Sequence, residues 1–285
     1  MRELRKMIHI CGIRFRQTAT EAKGLALLLI VPTIIWSIVQ PVVDMSFSIG
    51  KPVTLMGIAF VFSDMYGAAA SLLFSLGVML LFCDAPFCDE QQVQCLARCK
   101  TRTWICAQLL YVACLSALYV IYWLLSMMLV IAQNADWQLE WGTVWNTLAR
   151  TNAASQFGVS LECPFGLIRQ YEPAESLLLS MLLKFAYSCF IGNICFGLNL
   201  LTHSNVGLII SGFFALQDFV AINLMGYQYT WFSPATLSRL STLDPSGTYV
   251  LPTPCEALLI LCGSACALGA LSIGFGGRRL LEGHI

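Results

Sequence analysis

From Ile105 to Ala132 the chain runs 28 residues without a charged side chain. A membrane span needs about 20 mostly apolar residues, and in hydrocarbon every backbone N–H and C=O must be satisfied within the segment, which favours a helix. Comparable runs lie at about 24–41, 62–83, 176–201, 206–224 and 256–275. The pattern predicts an all-α, polytopic membrane protein with six transmembrane helices. Composition agrees: 58% of residues are apolar and 11% charged, where a soluble domain carries about 25% charge. The zero net charge gives no basis for a nucleic-acid partner.

Residues 1–23 read as a separate element. Arg2, Arg5, Lys6, Arg14, Arg16 and Lys23 make it basic. Leu4, Met7, Ile8, Cys11 and Phe15 recur at helical spacing, with Arg5, His9 and Arg16 on another side; Ile10 and Ile13 interrupt the polar side. This predicts an amphipathic helix in the headgroup region. A cleavable signal peptide fits poorly, because no A-x-A-like site follows the first apolar run. Pro32 predicts a kink in the first span. Residues 52–61 are apolar but too short to cross alone, so they read as interfacial or as an extra turn of the second span. Within that span Gly67, Ser71 and Ser75 are spaced by four, which would admit a close neighbouring helix.

Orientation follows from counting basic residues. With the N-terminus inside, eleven fall in cytosolic segments, counting Arg278 and Arg279, and four (Lys51, Arg150, Arg169, Arg239) in external ones. That positive-inside bias predicts both termini in the cytosol. Thirteen cysteines are scattered without the spacing of a disulfide framework; most would sit in lipid or on the cytosolic side, where thiols stay reduced.

Two polar stretches stand out. Residues 84–104 form a charged island between the second and third spans. Asp84, Pro86, Asp89 and Glu90 suit a helix N-terminus and Arg98, Lys100 and Arg102 its opposite end, which predicts a short helix outside the hydrocarbon. Cys88, Cys95 and Cys99 share one face of that helix but match no standard zinc spacing and read as packing residues. The second stretch, 133–175, holds Trp137, Trp141, Val144, Trp145 and Leu148 at helical spacing with Asp136 as N-cap. Its tryptophan face suits either the outer membrane interface or packing on the bundle.

The motifs of chemistry are missing. G-x-x-x-x-G-K-[ST], H-E-x-x-H and G-x-S-x-G do not occur, and His9, His203 and His284 are far apart in sequence. Two intramembrane charges remain, Lys184 in the fourth span and Asp218 in the fifth. At ~1.5 Å per residue in a core of ~30 Å, both lie ~12 Å from the external side. Such charges usually face the bundle interior and pair, so they are expected to form an ion pair, with the substrate route as its functional variant.

Together, the basic N-terminal helix, six spans and cytosolic helix between spans two and three resemble the permease subunits of type 2 ABC exporters. The passages FCDAPFCDE, Lys100-Thr101-Arg102-Thr103-Trp104 and Phe232-Ser233-Pro234-Ala235-Thr236-Leu237 are similar to the family's coupling-helix and pre-sixth-span segments. The long 133–175 connection departs from the shorter loop of many members. The resemblance implies a separate P-loop ATPase partner that carries the ATP, no cofactor on this chain, a second permease copy, and a multi-pass place in the bacterial plasma membrane. It implies coupling through Asp84, Pro86, Asp89, Glu90, Arg98, Lys100 and Arg102, and a pathway lined by the first, second and fifth spans. Two other readings stay open: an ion- or proton-coupled carrier using Lys184 and Asp218, and a membrane-embedded enzyme or assembly factor without ATP coupling.

Overall fold

The computed structural model describes residues 2–63, 69–87, 95, 99–202, 204–220, 227–247 and 250–281. The fold is all-α apart from one two-residue strand pairing among these residues. In chain order the helices are α1 (Arg2–Thr20), α2 (Ala22–Ile49), α3 (Ile58–Phe62), α4 (Ala69–Phe82), α5 (Thr101–Ile131), α6 (Gly142–Arg150), α7 (Ala153–Phe157), α8 (Phe165–Gln170), α9 (Pro173–Thr202), α10 (Val206–Val220), α11 (Pro234–Leu237) and α12 (Pro254–Leu281). Four of them are long and apolar enough to cross a membrane: α2, α5 with its 3-10 extension to Asn134, α9, and α12 from Pro254 to Gly276. The apolar portions of α4 (Ala70–Phe82) and α10 (Val206–Gln217) are shorter.

Local chemistry sets several boundaries. The predicted first span stops at residue 41, yet α2 continues through Pro41 to Ile49. It ends where Gly50 adopts a left-handed φ of 70° and sends its N–H to the Phe47 carbonyl, a backbone state that glycine reaches without strain. At the start of α12, Thr253 and Glu256 form a capping box: the Thr253 N–H donates to Glu256 Oε2 at 2.8 Å and the Glu256 N–H donates to Thr253 Oγ1 at 3.3 Å.

Helix α9 is the hub. It packs against α12, α10, α5, α4 and α3, and its buried residues run almost all the way round, as a helix enclosed by others requires. Its hairpin with α10 is tight at Gly207, where any Cβ would lie 2.8 Å from the carbonyls of Ile194 and Cys195.

At the end of the bundle where α2 finishes and α9 begins, residues 52–61 are not an extra turn of α4. They form a short strand, a 3-10 turn and α3, and every residue of α3 is buried. Val53–Thr54 pairs in parallel with Ala135–Asp136. Asp136 is therefore no N-cap; its Oδ1 accepts the Gln138 N–H at 3.2 Å. The helix starts later, at Gly142, and leaves Trp137 outside it and 69% exposed. Trp145 is fully buried against Phe60, with centroids 5.5 Å apart, and its Nε1–H donates to the Thr54 carbonyl at 2.9 Å. Trp141, Val144 and Leu148 are buried beside it, so this tryptophan face packs on the protein itself. Gly57 completes the seat, because a Cβ there would fall within the Trp145 indole.

Trp145→Ala is expected to destabilise the protein by about 3–5 kcal/mol, the usual loss for a buried aromatic. Trp137→Ala should stay within about 0.5 kcal/mol. Thermal unfolding of the two variants in one detergent tests the contrast, and equal shifts would contradict it.

Candidate functional site

Two polar constellations are built into the apolar bundle. The first lies where α1, the start of α2, the end of α4 and the start of α5 meet. Arg14 of α1 is 1% exposed, although its charge suggests a water-facing position. Its guanidinium lies 4.8 Å from the Phe87 ring centroid and pairs with Glu21 at 3.3 Å. Guanidinium over an aromatic face is a favourable way to hold a buried cation. The Tyr111 phenol meets the Thr18 hydroxyl at 2.6 Å, and its ring packs edge-on against Phe15 and Phe87. Lys23, at the first turn of α2, is paired with both Glu21 and Asp84.

Pro86 does not open a helix. Residues 83–86 form a turn after α4, closed by the Phe87 N–H to the Asp84 carbonyl at 2.9 Å, with Phe87 at a φ of 62°. The Ala85 carbonyl in this turn accepts Asn199 Nδ2–H at 2.8 Å, and Asn199 Oδ1 accepts the Gly207 N–H at 2.7 Å. One turn is thus fastened to α1, α2, α5, α9 and α10. Of the other charges predicted to couple, Lys100 caps the start of α5 and is exposed, as is Arg102. Asp89, Glu90 and Arg98 lie outside the described residues, as does Cys88. Cys95 and Cys99 pack against the core, and burial pushes the Cys99 thiol up, away from the thiolate a metal needs. Among the described residues no three His, Cys, Asp or Glu side chains gather as a metal site.

The second constellation surrounds Lys184, in the first half of α9 and 1% exposed. Its ammonium donates to Ser71 Oγ of α4 at 3.1 Å and to Ser238 Oγ at 3.2 Å, and lies 5.4 Å from the Phe74 ring centroid. One turn along, the Tyr187 hydroxyl donates to Ser75 Oγ at 2.9 Å. The four-residue spacing that includes Ser71 and Ser75 does mark a helix contact, with α9. Nearby, the Ser63 and Ser180 hydroxyls meet at 3.2 Å, and Ser241 donates to the Ser63 carbonyl. Residues 233–243 form a folded cap over this seam, opened by Ser233 Oγ accepting the Thr236 N–H. Arg239, which reads as an external charge in the sequence, is fully buried in that cap. The carboxylate of Asp218, the expected partner of Lys184, lies outside the described residues; its backbone is in α10.

The seam has a sequence signature that is easy to pass over. Ser176, Ser180, Lys184 and Ser188 recur every four residues and all are at most 1% exposed. Comparison with family models, curated proteins and solved structures finds no match. The chemistry is that of hydroxyls arranged to solvate one ammonium, with no nucleophile–base pair among the groups described around it.

Two outcomes are expected. Removing one hydroxyl, as in Ser71→Ala or Ser238→Ala, costs about 1.5–3 kcal/mol, the range for a hydrogen bond to a charged group. Each loss shrinks in a Lys184→Met background if the ammonium is the shared partner, and a double-mutant cycle on thermal unfolding measures it. For Asp84, partial burial acts to raise the carboxyl, but Lys23 and Cys83 outweigh it and hold the group below the ordinary carboxylate value. A lowered folded-state pKa stabilises above the unfolded value and is lost as pH falls through the folded one. The difference between wild type and Asp84→Asn should therefore be flat above about pH 5 and vanish in stronger acid. Its size is about 0.2–1 kcal/mol, because the carboxylate is half exposed.

Proposed function

We propose that the chain is the membrane-spanning permease subunit of an ATP-driven exporter in the bacterial plasma membrane. In this reading α4 and α10 complete six spans, both termini are cytosolic, and a second permease copy faces this one across the pathway. A separate P-loop ATPase carries the ATP and drives the 84–104 segment. The observation that supports it is the fastening of residues 84–87. Asp84 is tied to Lys23, Phe87 lies beneath Arg14, and the Ala85 carbonyl is held by Asn199. A push on the segment that follows would reach α1, α2, α5 and α9 together, which is what a lever between an ATPase and a bundle must do. Apolar spans with few polar groups suit an amphipathic or lipid-like cargo.

The buried Lys184 favours a second reading, an ion-coupled carrier in which this ammonium changes partners during transport. An uncoupler that stops transport while ATP stays normal would favour the carrier.

The exporter reading predicts that a P-loop ATPase co-purifies with the tagged full chain and that the complex hydrolyses ATP. Lys23→Asp should lower that turnover, and the reversed pair Lys23→Asp with Asp84→Lys should recover much of it. If no ATPase is retained, and replacing Asp89, Glu90 and Arg98 leaves transport intact, the reading fails.

A further inference from the structure

Beside its buried face α1 carries an apolar row, exposed at Leu4 and Ile8 and packed on Tyr111 at Phe15, and next to it a basic row. Ile10, Cys11, Arg14 and Thr18 are buried. A quarter-turn round, Leu4, Ile8, Gly12, Phe15 and Ala19 are spaced four, four, three and four residues apart and so line one side of the helix. Leu4 and Ile8 are more than half exposed. Beside that row, in the same helical register, stand Arg5, His9 and Arg16, all exposed. The apolar row runs into a groove of about 290 Å³ between α1, α2, the end of α4 and α5. Phe15 and Ala19 form one wall and Leu28, Leu81, Leu118 and Tyr122 others.

The groove has nothing to offer a polar ligand. The hydroxyls on its lining are already engaged: Thr18 with Tyr111, Tyr119 with the Phe74 carbonyl, and Tyr122 with the Leu28 carbonyl. Its mouth is open, since Leu28 and Leu118 are each about half exposed. An alkyl chain fits this surface, and the basic row stands beside the apolar row of α1 that leads into it. Arg16 is the exposed neighbour of Phe15 in the groove wall and, of the three residues in the basic row, stands nearest to it in the sequence.

We propose that this groove is a binding site for one anionic phospholipid of the surrounding bilayer. An acyl chain lies between α1, α2 and α5, and the phosphate is held by Arg16. The bound lipid would fill the gap under α1 and join the amphipathic helix to the spans. The inference rests on the chain being embedded in a membrane and not on the exporter reading.

The test uses the full chain in a mild maltoside detergent with an equimolar mixture of dioleoyl phosphatidylglycerol and dioleoyl phosphatidylcholine, read by native mass spectrometry. Wild type should retain one lipid per chain, with phosphatidylglycerol preferred. Arg16→Gln should lower that preference by about five-fold, the effect of one cation near an anionic surface, while Arg16→Lys keeps it. Ala19→Trp should expel the chain and reduce retention of both lipids. Because a tryptophan there can also disturb folding, the deciding measurement is on wild type, with phosphatidylglycerol carrying a diazirine in its acyl chain. Cross-links should map to Leu28, Leu81 and Leu118. Equal retention of the two lipids, cross-links elsewhere with none in the groove, or a groove closed by a second copy of the chain would each overturn the proposal.

Discussion

Among the described residues three cations are buried inside a largely apolar bundle, and the way a buried cation is held constrains how the helices meet. Removing a full charge from water costs several kcal/mol unless paired groups and hydrogen bonds replace the lost hydration. Arg14, Lys184 and Arg239 are each at most 1% exposed. None lies in the middle of a helix–helix contact made by aliphatic residues alone. Arg14 sits where α1 meets the turn after α4, between Phe87 and Glu21. Lys184 sits where α4, α9 and the 233–243 cap converge, among serine hydroxyls. Arg239 is fully buried and belongs to the cap. Each cation demands a particular set of neighbours, and aliphatic packing alone would allow many.

The two ends of the bundle are consequently built in different ways. At the α1 end the contacts are aromatic rings, ion pairs and the Asn199 bridge, which holds the turn at Ala85 and the start of α10 with one side chain. At the opposite end the contacts are hydroxyl-to-hydroxyl and hydroxyl-to-carbonyl bonds across α3, α4, α9 and the cap. Hydroxyls can donate or accept and can rotate, so such a seam can exchange partners with little geometric change. Rings stacked on a guanidinium have fewer equivalent arrangements.

Much of this architecture was legible in the residues. The apolar runs located α2, α5, α9 and α12, because in hydrocarbon the backbone leaves no other economical choice. The serine pair Ser71 and Ser75 correctly marked a helix contact. Three features escaped, each for a stated reason. Asp136 looks like an N-cap by composition, but the chain reaches it while pairing with Val53–Thr54, a non-local contact that no local pattern reveals. Pro86 reads as a helix start, yet it is held in a turn by tertiary bonds to Lys23 and Asn199. Arg14 and Arg239 read as water-facing charges, because a sequence shows the cost of burying a cation and not the neighbours that offset it, which for Arg14 are the Phe87 ring and Glu21. Ile10 is the complementary case: it interrupts the polar side of α1 in a helical projection, yet it faces the bundle, since the buried face of α1 is turned about a quarter-turn from the one its longest apolar residues suggest.

That rotation has a physical cause. If α1 turned Leu4 and Ile8 inward, Arg14 would be carried away from Phe87 and Glu21, and Thr18 away from Tyr111. The helix instead buries the row that supplies those polar and cation–π contacts, and leaves part of its largest apolar row outside. In water that choice would expose Leu4 and Ile8 at a cost of about 25 cal/mol per Å². Beside a membrane the cost disappears, because acyl chains are as apolar as leucine. With lipid against α1, as in the groove proposal, the polar and cation–π contacts alone would set which face is buried.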